Sequence, residues 1–301
     1  MPAARPALAA LAPLLLLLAR PARAALVVPA IFSDGCVLQT NAEYGARSYV
    51  FGYAAPGDAI SVALRLSDSG RTLQNFSTTA AAATGAFSVT LDPLADSTPA
   101  FDIVVADATT GELHVAAGCL AGDVYVCSGQ SNQCFSAESS FADARAIAPP
   151  PWNASYANVR LFAVQMLGAP APLRDFPPVT AASQCTWNHD KAPNQTDFPC
   201  QQWLPSTPHN NGLFSAVCLL TALEISRAHS GARPLGLVYS AFGGTSISLW
   251  APPAEYDGCP GAAEPAPPPG SLYNAMIAPM ARFSLRSFLW FQGENDVGTY
   301  Y

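Results

Sequence analysis

The 301-residue chain is half apolar, carries a formal net charge of -7, and has only 12% charged residues. Its 14 Lys and Arg are scattered, with no basic stripe interleaved with aromatics, which excludes a surface built to track nucleic-acid phosphates. The five Trp and fifteen Phe require a core, so a disordered chain is excluded too, and the length suffices for one large domain or two ordinary ones.

At the N-terminus, Arg5 precedes an apolar run from Ala7 to Ala19 that contains five consecutive leucines, Leu14 to Leu18. Arg20-Pro21-Ala22-Arg23-Ala24 follows, with small residues at the -3 and -1 positions of a cut after Ala24. This three-part layout predicts a secretory signal peptide over residues 1–24. A membrane anchor needs about 20 apolar residues, more than this run supplies. The mature chain is therefore expected to enter the secretory pathway, to be secreted or lysosomal, and to have no membrane association after cleavage. In that compartment disulfides are the default for the eight cysteines. Cys185 and Cys200 flank a polar loop and read as a local staple, whereas Cys127 and Cys218 lie in apolar runs and read as buried thiols. The remaining pairing is open. Three N-x-S/T sequons, at Asn75, Asn153 and Asn194, fit an exported glycoprotein.

Residues 25–118 read as a small all-β, sandwich-like domain. Short alternating runs ("SYVFGYA", "AISVALRL", "AFSVTLD", "FDIVVAD", "LHVAAGCL") are separated by Gly, Pro, Asp and Ser turns. No cluster of acids, histidines or serines there carries chemistry, and His114 reads as an ordinary strand residue.

Residues 119–301 change period. "DVYVCSG" is apolar on both faces, as a central parallel strand must be, and "RLFAVQ" reads as another strand. "LFSAVCLLTALEISRAHSG" has helical spacing and a glycine stop at Gly231. "LGLVYSAF" is a strand, "LYNAMIAPMA" a helix stopped by proline, and "SFLWFQGEN" a strand. The alternation is that of an α/β fold with a parallel sheet, linked by long Pro-rich surface loops.

Reactive groups of such sheets gather beyond the carboxyl ends of the strands. Three loops qualify: "SGQSNQ" at 128–133, "GGTSIS" at 243–248 and "QGEND" at 292–296. In the first, Ser128 and Ser131 are both candidate nucleophiles, and a serine after a strand is also an ordinary helix cap. The spacing is not that of a G-x-S-x-G elbow, because Gln133 stands where the second glycine belongs. Gly243 and Gly244 can bring backbone N–H groups to an oxyanion, and the Gln292 amide can donate to the same atom. Ser246 and Ser248 read as helix caps. Glu294 is a candidate base, orienting carboxylate or helix-terminal acid.

"CSGQSN" at 127–132, "AFGGTSISLW" at 241–250, "LYNAMIAP" at 272–279 and "WFQGEN" at 290–295 together resemble the sialate O-acetylesterase family of the SGNH hydrolases. The likeness is colinear over nearly all of the mature chain, from "SDGCVLQ" at 33–39 onwards. It implies a β-domain followed by an SGNH-type α/β domain, and serine-dependent removal of O-acetyl groups from sialic acids or other O-acetylated sugars, with no metal or cofactor. It also implies Ser131 as nucleophile, and an oxyanion hole made by one or both of Gly243 and Gly244 with Gln292 and the Ser131 backbone N–H. The chain departs from the family at Gln133, where Met is usual, and in "GEND", where "GESN" is usual. The family's D-x-x-H-type motif, which lies beyond the Q-G-E loop and supplies its catalytic Asp and His, does not occur before Tyr301. Of the four histidines, only His209 stands where a base is worth considering. The expectation is an incomplete esterase domain. A chain that truly ends at Tyr301 is expected to have little activity and to serve instead as a non-catalytic glycan-binding protein.

Overall fold

The computed structural model describes residues 24–40, 47–140, 153–186, 198–256 and 268–297. Nearly all of the expected signal segment, with His189, Asn194 and Cys259, lies outside the described residues.

Seven strands fill the N-terminal part: β1 (Val37–Gln39), β2 (Tyr49–Tyr53), β3 (Ala59–Leu66), β4 (Thr72–Thr79), β5 (Ala86–Thr90), β6 (Phe101–Asp107) and β7 (Leu113–Gly129). Strands β4, β3, β6 and the first half of β7 form an antiparallel ladder in that order. Strands β2 and β5 make a separate two-stranded sheet. Its Val50, Phe51, Phe87 and Val89 enter the same core as Ile60, Val62, Phe101 and Ile103 of the ladder, so the alternating runs do face one apolar layer. Strand β4 was not legible. Its sequence, TLQNFSTT, is mostly polar because it lies at the end of the sheet with no fully buried residue. The Asn75 sequon stands exposed on it, and Asn153 is exposed as well.

Strand β7 organises the molecule. Over 17 residues its first half alternates in burial and its last nine residues, Ala121–Gly129, are all buried. The expected domain boundary after residue 118 falls inside this single strand. There the pairing passes from antiparallel β6 to parallel β1, and then to parallel β10 (Leu235–Ala241) and β11 (Ser287–Phe291). Strand β8 (Tyr156–Ala163) adds in parallel to β10, and β9 (Leu204–Ser206) pairs antiparallel with β8. The result is a mixed α/β sheet of nine strands. Pro205 is tolerated in β9 because that strand closes the sheet.

The uniformly apolar strands are explained by two cores, one on each face. Val124, Val126, Phe162 and Val238 point to one face, against Trp203, Leu249 and Met276. Their neighbours Tyr125, Cys127, Leu161, Leu237 and Tyr239 point to the other, against Leu219 and Leu223. Those leucines belong to helix α4 (Ala216–Ala228), which follows α3 (Pro208–Leu213). The helix expected from Leu213 onwards thus starts three residues later, at Ala216, because Leu213 closes the separate helix α3. Thr207 caps α3, Phe214 turns extended, and Ser215 caps α4 by accepting from the Cys218 N–H. Helix α4 ends as read, with Gly231 at φ 69° and its N–H on Ser226 O at 2.8 Å.

"LYNAMIAPMA" also differs from expectation. It forms a wide π-type turn, Tyr273–Ile277, that continues into a 3-10 turn, Ala278–Met280. Pro279 enters near the start of that second segment, where its missing N–H is not needed, so it does not end the element. Cys127 and Cys218, read as buried thiols, are joined in a disulfide that ties β7 to α4. Cys185–Cys200 is the expected loop staple. Among the described residues no helix is long and apolar enough to cross a membrane.

Candidate active site

Strand β7 ends at Gly129, whose φ of 138° is a conformation L side chains rarely adopt. A Cβ there would lie 2.0 Å from Phe291 O, so β11 can approach only because the residue is glycine. Gln130 follows, its N–H on Phe291 O at 3.0 Å, and Ser131 opens the short helix α1 (Ser131–Cys134). The two serines of this loop now separate. Ser128 is fully buried inside the strand, and its hydroxyl has no partner. Ser131 is partly exposed. Of these two, Ser131 alone reaches solvent.

The other two loops come to the same strand end. Phe242 N–H donates to Gly129 O at 3.0 Å, placing the second loop beside the first. Gly244 has φ 72° and open space around its Cβ position. Thr245 stiffens the loop: its hydroxyl donates to Phe242 O at 2.7 Å and accepts from Trp250 Nε1 at 2.9 Å. Ser246 occupies the position ahead of the turn Ile247–Leu249, but its side chain makes no cap and pairs with the Ser248 hydroxyl at 2.8 Å. The cap expected from both serines is absent.

The third loop is bound to the first two through Gln292. Its amide Nε2 reaches Thr245 O at 3.2 Å, Gln130 Oε1 at 3.4 Å and the Asp296 carboxylate at still closer range. Asp296 also accepts from the Ile247 N–H, at 3.1 and 3.2 Å. Gln130 Oε1 accepts in addition from the Asn295 N–H at 3.3 Å. Asn132 Nδ2 donates to Glu294, which makes Glu294 a partner of the first loop. Ser131, Gly243, Gly244 and Gln292 are therefore on loops cross-linked at one edge of the sheet. Both N–H groups of the Gln292 amide already face acceptors of the protein. Gln130, Asn132, Thr245 and Asp296 carry this cross-linking, and their sequence signal was only that each lies in one of the three loops.

A buried cysteine, Cys134, lies beside the second loop. The Cys134 thiol is pushed up to about 12 by burial, against the opposing effect of the Tyr239 hydroxyl and the Gly243 N–H. It stays protonated and inert at neutral pH. No described histidine serves Ser131. His114 Nε2 lies 2.7 Å from Phe32 O in the β-region. His209 is exposed on α3. His229 caps the end of α4 and lines a cavity of about 270 Å³ with Asp96, Ser97, Ala232 and Arg233. Arg233 bonds Asp123 at the opposite end of the β7 run that finishes at Gly129.

The family model described as "Carbohydrate esterase, sialic acid-specific acetylesterase" matches residues 179–300. That span holds the second and third loops, and Ser131 lies ahead of it. The sialate O-acetylesterase of Homo sapiens is 27% identical over 269 residues, covering 84% of this chain and 46% of its own length. The sialate O-acetylesterase of Mus musculus is 26% identical over 286 residues, covering 82% of this chain and 48% of its own. Among solved structures, a carbohydrate acetylesterase from Xanthomonas citri matches with a TM-score of 0.66 at 25% identity, over 90% of this chain and 52% of that one. The resemblance read from the four motifs is borne out by all three comparisons, and the α/β fold preceded by a β-region is that of the Xanthomonas enzyme. The chain spans about half the length of the relatives it matches.

Proposed function

We propose that this chain carries the nucleophile-bearing part of a carbohydrate O-acetylesterase acting through a serine acyl-enzyme, with O-acetylated sialic acid as substrate. Ser131 Oγ attacks the acetyl carbonyl. The Ser131 N–H, the Gly243/Gly244 backbone and the Gln292 amide stabilise the resulting oxyanion. The sugar hydroxyl departs with a proton, and water releases acetate from Ser131. The observation that carries this reading is the junction of the three loops at Gly129, where Gln130, the neighbour of the part-exposed Ser131, bonds Gln292. For Gln292 to donate to the oxyanion, substrate must displace one of its present acceptors.

A serine needs a base to react at neutral pH, and none of the described histidines provides one. In this reading the Asp and His come from residues beyond those described. Export through the secretory pathway, with glycans at Asn75 and Asn153, belongs to the same reading, and the two disulfides support it.

A second substrate reading, acetyl esters of other sugars, is favoured by the match to the Xanthomonas carbohydrate acetylesterase. Acetate release from O-acetylated sialic acid and from acetylated xylan, measured side by side, separates the two. The Ser131→Ala variant is expected to lose several powers of ten of the rate on the preferred substrate. Unchanged turnover in that variant overturns the assignment of the nucleophile.

A further inference from the structure

Cys36 and Cys119 are both fully buried, and neither belongs to the two disulfides described above. They lie side by side across a parallel ladder. The register Val37↔Leu120 continues back by one residue to this pair, and Leu120 N–H donates to Cys36 O at 2.8 Å. Strands in a sheet lie about 4.7–4.9 Å apart, inside the Cα separation that a disulfide spans. The side chains point at each other, and the sulfurs are 2.7 Å apart. Non-bonded heavy atoms of a packed interior keep about 3.5–4.0 Å. The other polar neighbour of the pair is Ala116 O, 3.4 Å from Cys119 Sγ, a long and weak contact for a thiol. A chain of two thiols donating along this path does not account for the closeness of the sulfurs. A covalent bond does.

We propose that Cys36 and Cys119 form a third disulfide in the oxidised protein. The two thiols give up their protons, one S–S bond forms between Cys36 Sγ and Cys119 Sγ, and two electrons pass to a disulfide oxidant. That oxidant, oxidised glutathione or a protein disulfide of the secretory pathway, is reduced to two thiols.

The bridge closes a loop of 83 residues in sequence separation. That loop contains β2, β3, β4, β5 and β6, and thus nearly the whole antiparallel part of the molecule. It is fastened just where β7 changes partners, at the start of the run that ends at Gly129. Gly236 of β10 shows how close the packing is here, since a Cβ on it would meet Val37 Cβ at 2.8 Å. The bridge therefore keeps the β-region joined to the strand that leads to Ser131, even when loops of that region are cut. Cys134 is the third free cysteine among the described residues.

Peptide mapping without reduction tests this on the wild-type chain. Protein equilibrated with oxidised glutathione is unfolded in the presence of an alkylating reagent. It is then digested with trypsin and with a protease that cuts ahead of aspartate, which separates Cys119 from Cys127 at Asp123. The expected product is a linked pair holding Cys36 and Cys119, lost on reduction. Alkylated Cys36 and Cys119 beside linked Cys127 and Cys218 overturn the proposal, as does either residue linked to any other cysteine. A second measurement uses cleavage in the exposed turn at Arg71. The two halves of the β-region are expected to stay joined in denaturant until reductant is added. In the Cys36→Ala/Cys119→Ala double variant they are expected to separate without it. Separation of the wild-type halves without reductant overturns the bridge.

Discussion

Strands β10 and β11 both pair in parallel with β7, over Asp123–Gly129 and Tyr125–Gly129 respectively. Both are apolar in sequence, LGLVYSA and SFLWF. Yet all seven residues of β10 are buried, whereas four of the five in β11 are exposed. Strand β10 is covered on one face by α4 and on the other by Trp203, Leu249 and Met276. Strand β11 keeps Phe288, Trp290 and Phe291 more than 40% exposed. Apolar composition thus specifies a strand that requires cover, and the neighbours decide whether it has any. The site inherits the contrast. Ser131 and the Gly243-Gly244 pair follow strands buried on both faces, while Gln292 and Asp296 follow the uncovered one.

The contrast is broken most directly at Leu237. This side chain is fully buried in β10 against the α4 core. Leu237→Ala is expected to cost about 2–5 kcal/mol, read as a lower urea midpoint at unchanged slope. A loss no larger than that of an exposed residue would mean the α4 face is not the packed core described here.

The next effect is at the junction. Gly129→Ala places a methyl against Phe291 O and forces a positive φ on an L residue. The expected cost is about 1–3 kcal/mol. Because β11 has little on its outer side, it is expected to yield by moving away from β7, while β10 stays. Hydrogen exchange distinguishes the two: the Gln130 amide, bonded to Phe291 O, loses protection, and the Val164 amide, bonded to Tyr239 O, keeps it.

How much of this was legible in the sequence follows the same division. Strands β3, β6, β10 and the end of β7 were readable because their periodicity reports burial, alternating or continuous. Strands β4 and β9 were not, since polar and Pro-containing segments form strands only by lying at a sheet's end. The start of α4 was hidden by Leu213 and Phe214, whose apolar side chains continue the helical spacing although the Phe214 backbone is extended. Cys127 and Cys218 lie 91 residues apart, and no local pattern could pair them. At the site, a glycine and a hydroxyl, amide or carboxylate after each strand identified the three loops. Gln130 and Asp296 escaped notice because their role is to bond other loops, which only the folded geometry reveals.

Asp296 offers a smaller effect. It holds the third loop to the second by accepting from the Ile247 N–H and from Gln292. Asp296→Ala removes a charged acceptor from that amide, and hydrogen bonds to charged groups contribute about 1.5–3 kcal/mol. Exchange of the Ile247 amide is expected to quicken by roughly tenfold or more, with exchange in β10 unchanged. An unaltered Ile247 rate would mean the second loop holds its shape through Thr245 and Trp250 alone.

The smallest effect is expected on β11 itself. Phe288 is 43% exposed, and its ring lies 6.4 Å from that of Trp290, which is as exposed. Removing such a ring returns little additional surface to water and opens no cavity, so neither of the two penalties that act on Leu237 applies in full. Phe288→Ala is expected to change stability by less than about 1 kcal/mol. The pair Leu237→Ala and Phe288→Ala then measures cover, since both residues stand on strands paired to the same stretch of β7. Equal losses in the two variants would show that β11 is as enclosed in solution as β10, and the distinction between the two strands would fall. Unequal losses would establish that β11, which leads into the Gln292 loop, is the less enclosed of the two strands.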